Sequence, residues 1–378
     1  MKPSTWARRL PWSIVVLAVL LIVLGWLAIA RSEELTGGGG ALRRQVFFSV
    51  VAIAAMLATS APNYRILCRY SYAIFLVSLL LLVAVYFFPA INSAHRWMRL
   101  GPISLQPSEF AKVAFVAALA RYLMYRENYR RLRGLAVPLV IVMLPVVLIL
   151  REPDLGTAAV FLPVLFAMLF AAGAKRFDLA VLAVAGLLTV PLLWTQMSVE
   201  QKSRVTAMFE QPTADERPSD DAYHLYQAKK VRALGGPWGS FIGGEQIDDR
   251  AAYHLPEAKC DFIFCIIGER FGLPGMAAVL GLFAILAWRG LAIAAATREP
   301  FGRLMAAGIA ALFATEVLIN TAMTVGLLPI TGLSLPLISH GGSGLLAHCI
   351  ALGLLLNVGL RPGYEVSKEP FRWVVGSG

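Results

Sequence analysis

The sequence is short of charge. Asp, Glu, Lys and Arg make up only 15% of its 378 residues, where a soluble domain carries about a quarter. With 58% hydrophobic residues and a mean hydropathy of +0.68, this deficit excludes a water-soluble globule. Cysteine is also scarce. Cys68, Cys260, Cys265 and Cys349 form no CxxC pair and no metal spacing with histidine, which argues against a disulfide framework. The chain lacks a basic tail or basic amphipathic segment to go with its net charge of +11, so nucleic acid is not the expected partner. Surplus Lys and Arg is what the cytoplasmic loops of membrane proteins carry. Strict apolar–polar alternation is missing as well. A membrane chain without it must satisfy its backbone in helices rather than in a barrel.

What is present is a series of ten apolar runs, at about 12–30, 45–61, 72–89, 106–125, 134–150, 156–173, 177–197, 261–288, 301–327 and 341–360. Each is long enough to cross a hydrocarbon core of about 30 Å as a helix. The expected fold is an all-α polytopic membrane protein, a single domain over 1–378. The first run follows Arg8 and Arg9 and ends Ala28-Ile29-Ala30, the outline of a signal peptide. Its 19 uncharged residues, Trp12–Ala30, fit a first membrane helix better. With the N-terminus inside, the inside segments hold eighteen Lys and Arg and the short outside loops six. That bias predicts two cytoplasmic termini in a multi-pass chain and sets Asp261 on the outside. The short tails leave no room for a cytoplasmic domain.

Segment 198–260 is the one sizeable aqueous stretch, a large extracytoplasmic loop. Ala222–Leu234 has helical apolar spacing with Lys229, Lys230 and Arg232 beside it, and Gly235-Gly236 is a helix stop. Gly239, Gly243 and Gly244 carry no nucleotide fingerprint and read as a flexible connection.

The stretch HLPEAKCDFIFCIIGER, residues 254–270, passes from a polar run with Glu257 and Lys259 into an apolar one, and Asp261 stands at the boundary. A carboxylate there costs free energy unless it is hydrated, paired or used; its bland alternative is an acid favouring a helix N-terminus. Glu109 and Lys112, three apart, share a helical face inside a span, either as a functional pair or as a structural one. Glu316 and Asn320 form another polar face. Arg151–Ala158 reads as a helix start built on Pro153 and Asp154, and His340 and His348 as packed polar residues. In Asn320–Gly344, Pro329, Gly332, Pro336 and Gly341-Gly342 interrupt an apolar run. Non-helical backbone at membrane depth survives only when buried in protein or lining a cavity. A cavity opening outward near Asp261 is therefore expected.

These residues resemble the SEDS family of bacterial cell-wall proteins, which includes RodA, FtsW and SpoVE. Asn320, Gly326-Leu327, Pro329, Gly332-Leu333 and Ser339–Ser343 are similar to one family motif, with His340 where Tyr is usual and Gly344 where Ser or Ala is. Pro256-Glu257 and Asp261–Phe264 are similar to another, with Lys259-Cys260 in place of His-Thr. Arg96-Trp97, Gln106–Lys112 and Asp154–Ala158 also match. The short tails, and Met323 with Thr331, lean toward the RodA-like side.

The resemblance implies a peptidoglycan glycosyltransferase of the bacterial cytoplasmic membrane. It would polymerise lipid II into lipid-linked glycan on the outer side, for elongation or division, together with a class B penicillin-binding protein. Asp261 would be the general base of an inverting transfer. Lys112, Glu109, Glu257, Ser339 and Ser343 are the expected substrate contacts, with Lys229, Lys230 and Arg232 as further cations for the pyrophosphate. A divalent cation could assist, but no ligand spacing demands one. The competing expectations are a lipid II flippase, which ten spans with intramembrane charges would also suit, and a scaffold without catalysis.

Overall fold

The computed structural model describes residues 10–36, 39–89, 95–101, 103–125, 132–209, 220–243, 255 and 257–363. Lys2, Arg8, Arg9, Gly244, His254 and Pro256 lie outside them. In chain order come α1 (Trp12–Thr36), α2 (Ala41–Ser60), α3 (Tyr64–Ala84), a two-stranded hairpin of β1 (Met98–Leu100) and β2 (Ile103–Leu105), α4 (Pro107–Tyr125), α5 (Ala136–Arg151), α6 (Leu155–Ala172), α7 (Arg176–Gln196), α8 (Val199–Phe209), α9 (Asp220–Leu234), the single turn α10 (Ser240–Gly243), α11 (Ile263–Ala296), α12 (Pro300–Val325) and α13 (Gly342–Leu360). In the hairpin Met98 faces Leu105.

A helix occupies each of the ten expected spans. Seven of them, α1, α2, α3, α6, α11, α12 and α13, are long and apolar enough to cross a membrane, while α5 is shorter. Helix α4 carries Glu109 and Lys112, with a partly exposed Arg121 near its end, and burial explains how it keeps the first two: it is enclosed on nearly every side by α3, α12 and α6. Helices α4, α12 and α13 form the inner layer. Outer helices turn large apolar side chains outward, such as Phe47 and Val50 on α2, Leu76 and Leu80 on α3, Leu187 and Leu188 on α7, and Trp288 and Leu291 on α11. In water such a surface would drive aggregation; in a bilayer it faces lipid.

Helix starts follow local chemistry. Asn63 Oδ1 accepts from Arg65 N at the start of α3 (3.0 Å). Glu299 takes the amides of Phe301 and Gly302 at 3.1 and 2.6 Å, with Pro300 in the first turn of α12. Side-chain acceptors and an early proline satisfy or remove the orphan donors of a first turn. Helix α13 runs along α2 so closely that a Cβ on Gly353 would sit 2.3 Å from Met56 O, and only glycine permits that approach.

Helix α11 is broken at Gly272 (φ 63°, ψ −157°). The turn after α9 docks into the break: Leu273 N donates to Pro237 O at 2.9 Å. A Cβ on Gly272 would lie 2.3 Å from Pro237 O, and one on Gly239 (φ 81°) 2.5 Å from Arg270 O. Gly239 is thus a packing residue at a tight crossing, which corrects the expectation of a flexible connection. Periodicity and turn propensity carry no sign of such a long-range contact.

Candidate active site

Asp261 sits in the turn that leads into α11. The amides of Cys260 and Asp261 both donate to Glu257 O, at 2.9 and 3.1 Å, which curls residues 257–262 into a compact entry. Non-helical residues 327–341, the run that Pro329, Gly332 and Pro336 interrupt, lie against this turn. Three successive carbonyls of the turn are each held from α12 or that coil. Lys259 O accepts His340 N at 2.8 Å, Cys260 O accepts Ser339 Oγ at 2.5 Å, and Asp261 O accepts Asn320 Nδ2 at 2.9 Å. Asn320 Nδ2 also reaches Leu333 O at 2.6 Å, and Ser339 Oγ accepts Leu335 N at 2.8 Å. Buried amide and hydroxyl groups placed this way satisfy the coil's backbone without regular structure. Gly332 adopts φ 69°, where a side chain would be strained, and its missing Cβ would stand 3.5 Å from Asp261 Oδ2.

The expected cavity is here, with a volume of about 550 Å³. Asp261, Glu257, Ser339 and His340 line it, with Gly332, Ser334 and Gly344 from the coil and the start of α13. Four arginines line it too: Arg44 of α2, Arg96 beside the hairpin, Arg99 of β1 and Arg204 of α8. Arg96 Nε donates to Glu152 O at 2.9 Å and a second guanidinium nitrogen donates to Pro153 O, so Arg96 clamps the turn before α6. Asp154 lines the cavity but its oxygens are engaged. Oδ1 caps α6 through Thr157 N (3.1 Å), and Oδ2 accepts Thr157 Oγ1 (2.9 Å) and Gln106 Nε2 (3.4 Å). Asp261 differs: among the described residues no donor is bonded to its carboxylate oxygens. Burial, then the neighbouring Glu257 and Asp154 charges, push its pKa up to about 7, against the pull of Arg204 and Arg96. A half-buried, unbonded carboxylate of that pKa can take a proton near neutral pH.

Behind the cavity lies a buried polar cluster. Lys112 Nζ bonds Glu109 Oε1 at 2.9 Å and also bonds Glu316 Oε1, while His348 Nε2 meets Glu316 Oε2 at 2.7 Å. All four side chains are under 6% exposed. Glu109, Glu316 and His348 have the spacing of a metal site, but the Lys112 ammonium already serves as its cation. His348 is therefore a member of an ionic cluster as well as a packed residue. Sequence spacing misses it because α4, α12 and α13 meet only in the fold.

The expected substrate contacts divide. Glu109, Glu257 and Ser339 line the cavity, whereas Lys112 stands one shell behind it. Ser343 is buried with an unpartnered hydroxyl and does not line it. Lys229, Lys230 and Arg232 of α9 lie outside the lining; α9 packs on α11, and the Arg232 stem lies against Gly268. The cations brought to Asp261 are arginines from three separate elements and the segment before the hairpin. Of these, only the Arg96-Trp97 pair carries a recognisable pattern.

Comparison with known proteins agrees along most of the chain. The sequence profile of the FtsW, RodA and SpoVE group, described as cell cycle protein, matches residues 8–361. A probable peptidoglycan glycosyltransferase FtsW of Trichlorobacter lovleyi is 34% identical over 90% of this chain and 88% of its own. Peptidoglycan glycosyltransferase MrdB of Escherichia coli K12 is 32% identical over 90% and 92%, and stage V sporulation protein E of Bacillus subtilis 32% over 84% and 86%. Among solved structures, a chain from a study of how a peptidoglycan synthase complex coordinates polymerization and crosslinking superposes with a TM-score of 0.79, at 29% identity over 94% of this chain and 98% of that one. The crystal structure of Thermus thermophilus rod shape determining protein RodA gives 0.70, at 27% identity over 94% and 98%.

Proposed function

The chain belongs to the FtsW, RodA and SpoVE family of cell cycle proteins and is a peptidoglycan glycosyltransferase, and we propose on that premise that Asp261 is its general base in polymerising lipid II. The observation that carries the assignment is the cavity itself. It joins one carboxylate free of side-chain hydrogen bonds, with a pKa raised to about 7, to four arginines. Asp261 would take the proton of the acceptor sugar hydroxyl as that oxygen attacks the donor's anomeric carbon. The bond to the polyprenyl pyrophosphate breaks as the new one forms, which inverts the centre. Charge developing on the pyrophosphate needs preorganised cations. Arg44, Arg96, Arg99 and Arg204 supply them in this reading, in place of Lys229, Lys230 and Arg232. The Lys and Arg bias supports cytoplasmic termini and an outward-facing cavity.

The relative in a complex that coordinates polymerization with crosslinking supports a crosslinking partner here as well, a class B penicillin-binding protein. The test uses the purified chain, with that partner added if needed, and lipid II in detergent, where no sidedness exists. Glycan polymer should form, and Asp261→Asn should lower its rate about 10²–10⁴-fold while lipid II binding persists. Wild-type polymerisation by Asp261→Asn would remove Asp261 from the chemistry. Movement of lipid II across vesicles without any polymer would favour the flippase.

A further inference from the structure

The cavity has a second polar feature, away from the Asp261 carboxylate. Glu109 lines the cavity at 4% exposure, and its Oε2 makes no hydrogen bond; the nearest ring nitrogen, His348 Nε2, is 4.0 Å away. Its other oxygen is held by Lys112, and Lys112 is held in turn by Glu316, which His348 anchors. A buried carboxylate oxygen without a hydrogen bond costs free energy until a donor arrives. Next to it the wall is notched. Gly344 carries no side chain, and a Cβ built there would stand 3.6 Å from Glu109 Oε2 and 4.0 Å from Ser334 Oγ. Those are ordinary contact distances, so the notch has room for one small atom, bounded by one anionic acceptor and one hydroxyl that both donates and accepts. Both Ser334 and Gly344 line the cavity.

We propose that Glu109 Oε2 and Ser334 Oγ, opened by Gly344, form a subsite for an uncharged hydroxyl or amide N–H of the bound saccharide. The group donates to Glu109 and is bracketed by Ser334. This inference rests on the reading of the cavity as a lipid-linked saccharide site, and it adds which face of the ligand is held there. Phosphate is excluded from the notch because Glu109 would repel it. A free metal ion is disfavoured because Lys112 already occupies the position between Glu109 and Glu316. Lys112, Glu316 and His348 are positioning residues in this scheme. They hold the Glu109 carboxylate in place beside the notch.

The experiment measures KM and kcat for lipid II polymerisation, together with direct lipid II binding and thermal stability. Three variants are compared. Ser334→Ala deletes one neutral partner and should raise KM about 2- to 10-fold. Glu109→Gln should raise it about 10- to 100-fold, the range for hydrogen bonds to a charged group. Gly344→Ser places a hydroxyl within reach of Glu109 Oε2 in a helix that tolerates Ser better than Gly. It should raise KM several-fold with kcat and melting temperature held or improved, which a purely structural role for Gly344 would not produce. Wild-type KM in both Ser334→Ala and Gly344→Ser overturns the subsite while the polymerase activity stands. Calorimetric binding of Mg²⁺ or Mn²⁺ by the parent chain that Glu109→Gln abolishes, with KM for lipid II unmoved in Ser334→Ala, makes it a metal site and also overturns the proposal. If the parent chain makes no polymer the polymerase reading falls, and weakened direct lipid II binding by the three variants still decides the subsite.

Discussion

Asp261 is a half-buried acid proposed here as a base, and Glu152 a fully buried acid with no part in that proposal. A base works only when ionised. With the Asp261 pKa near 7, the polymerisation rate should rise about tenfold per pH unit below 7 and level off above it. Glu257→Gln removes the charge that contributes most, after burial, to that elevation, so the rate profile should shift to lower pH; an unmoved profile would mean that another group titrates. Glu152 is 1% exposed with neither carboxyl oxygen hydrogen-bonded, and burial and Asp154 push it up to about 8, against Arg96. Its folded pKa exceeds its unfolded one, so the folded state keeps a proton that the unfolded chain releases. Stability from this group is full below the unfolded pKa, about 4.3, and drains away as pH rises toward 8. Glu152→Gln should therefore raise the melting temperature, by more at pH 8 than at pH 5, and an equal gain at both would sink the argument. Asp261 was legible at this scale because a lone acid at the edge of an apolar run is conspicuous. Glu152 sits two residues from Asp154 in what reads as an ordinary turn, and only the packed structure reveals its burial.

Helix positions follow from the apolar runs closely; what the runs conceal is how helices engage one another. Helix α11 reads as one continuous span, yet it is two pieces joined at Gly272, because the Pro237–Gly239 backbone needs room there. Gly272→Ala would require φ near +63° with a Cβ 2.3 Å from Pro237 O. It should lower the melting temperature by several degrees and loosen the turn after α9, detected as faster protease cleavage between α9 and α11; unchanged cleavage would show that the docking is dispensable. The ionic cluster is likewise a property of three helices together. Lys112→Met leaves Glu109 and Glu316 facing each other without a cation. Breaking such a buried pair costs about 3–5 kcal/mol, so a large fall in melting temperature should accompany any loss of activity. Normal stability in that variant would mean that the carboxylates protonate at little cost. Glu109 and Lys112 were visible as an i, i+3 pair, whereas Glu316 and His348 joined them from distant segments that no local spacing connects.

At the scale of the whole molecule, the Lys and Arg bias and the interrupted run at 327–341 between them anticipate a cavity opening at the Asp261 end. They do not anticipate which cations reach it, since Arg44, Arg99 and Arg204 come from surface positions that look like ordinary solvated charge. A complex with a crosslinking partner should be recoverable from native membranes, and full activity of the isolated chain at an undiminished rate would count against a required assembly. The enclosure of α4 has a consequence for how the chain is made. A charged residue resists entry into lipid, by about 2.5–3.5 kcal/mol at a helix centre, and α4 carries the pair Glu109 and Lys112 within its first two turns. Buried among α3, α6 and α12 the pair is harmless, but two of those neighbours are translated after α4. During synthesis α4 has only α3 beside it, so it must enter the bilayer as a hairpin with α3 or wait at the translocon until α6 emerges. A nascent chain cut after Tyr125 should integrate this segment poorly, as read by accessibility of a glycosylation tag, and one extended through Ala172 should integrate it well.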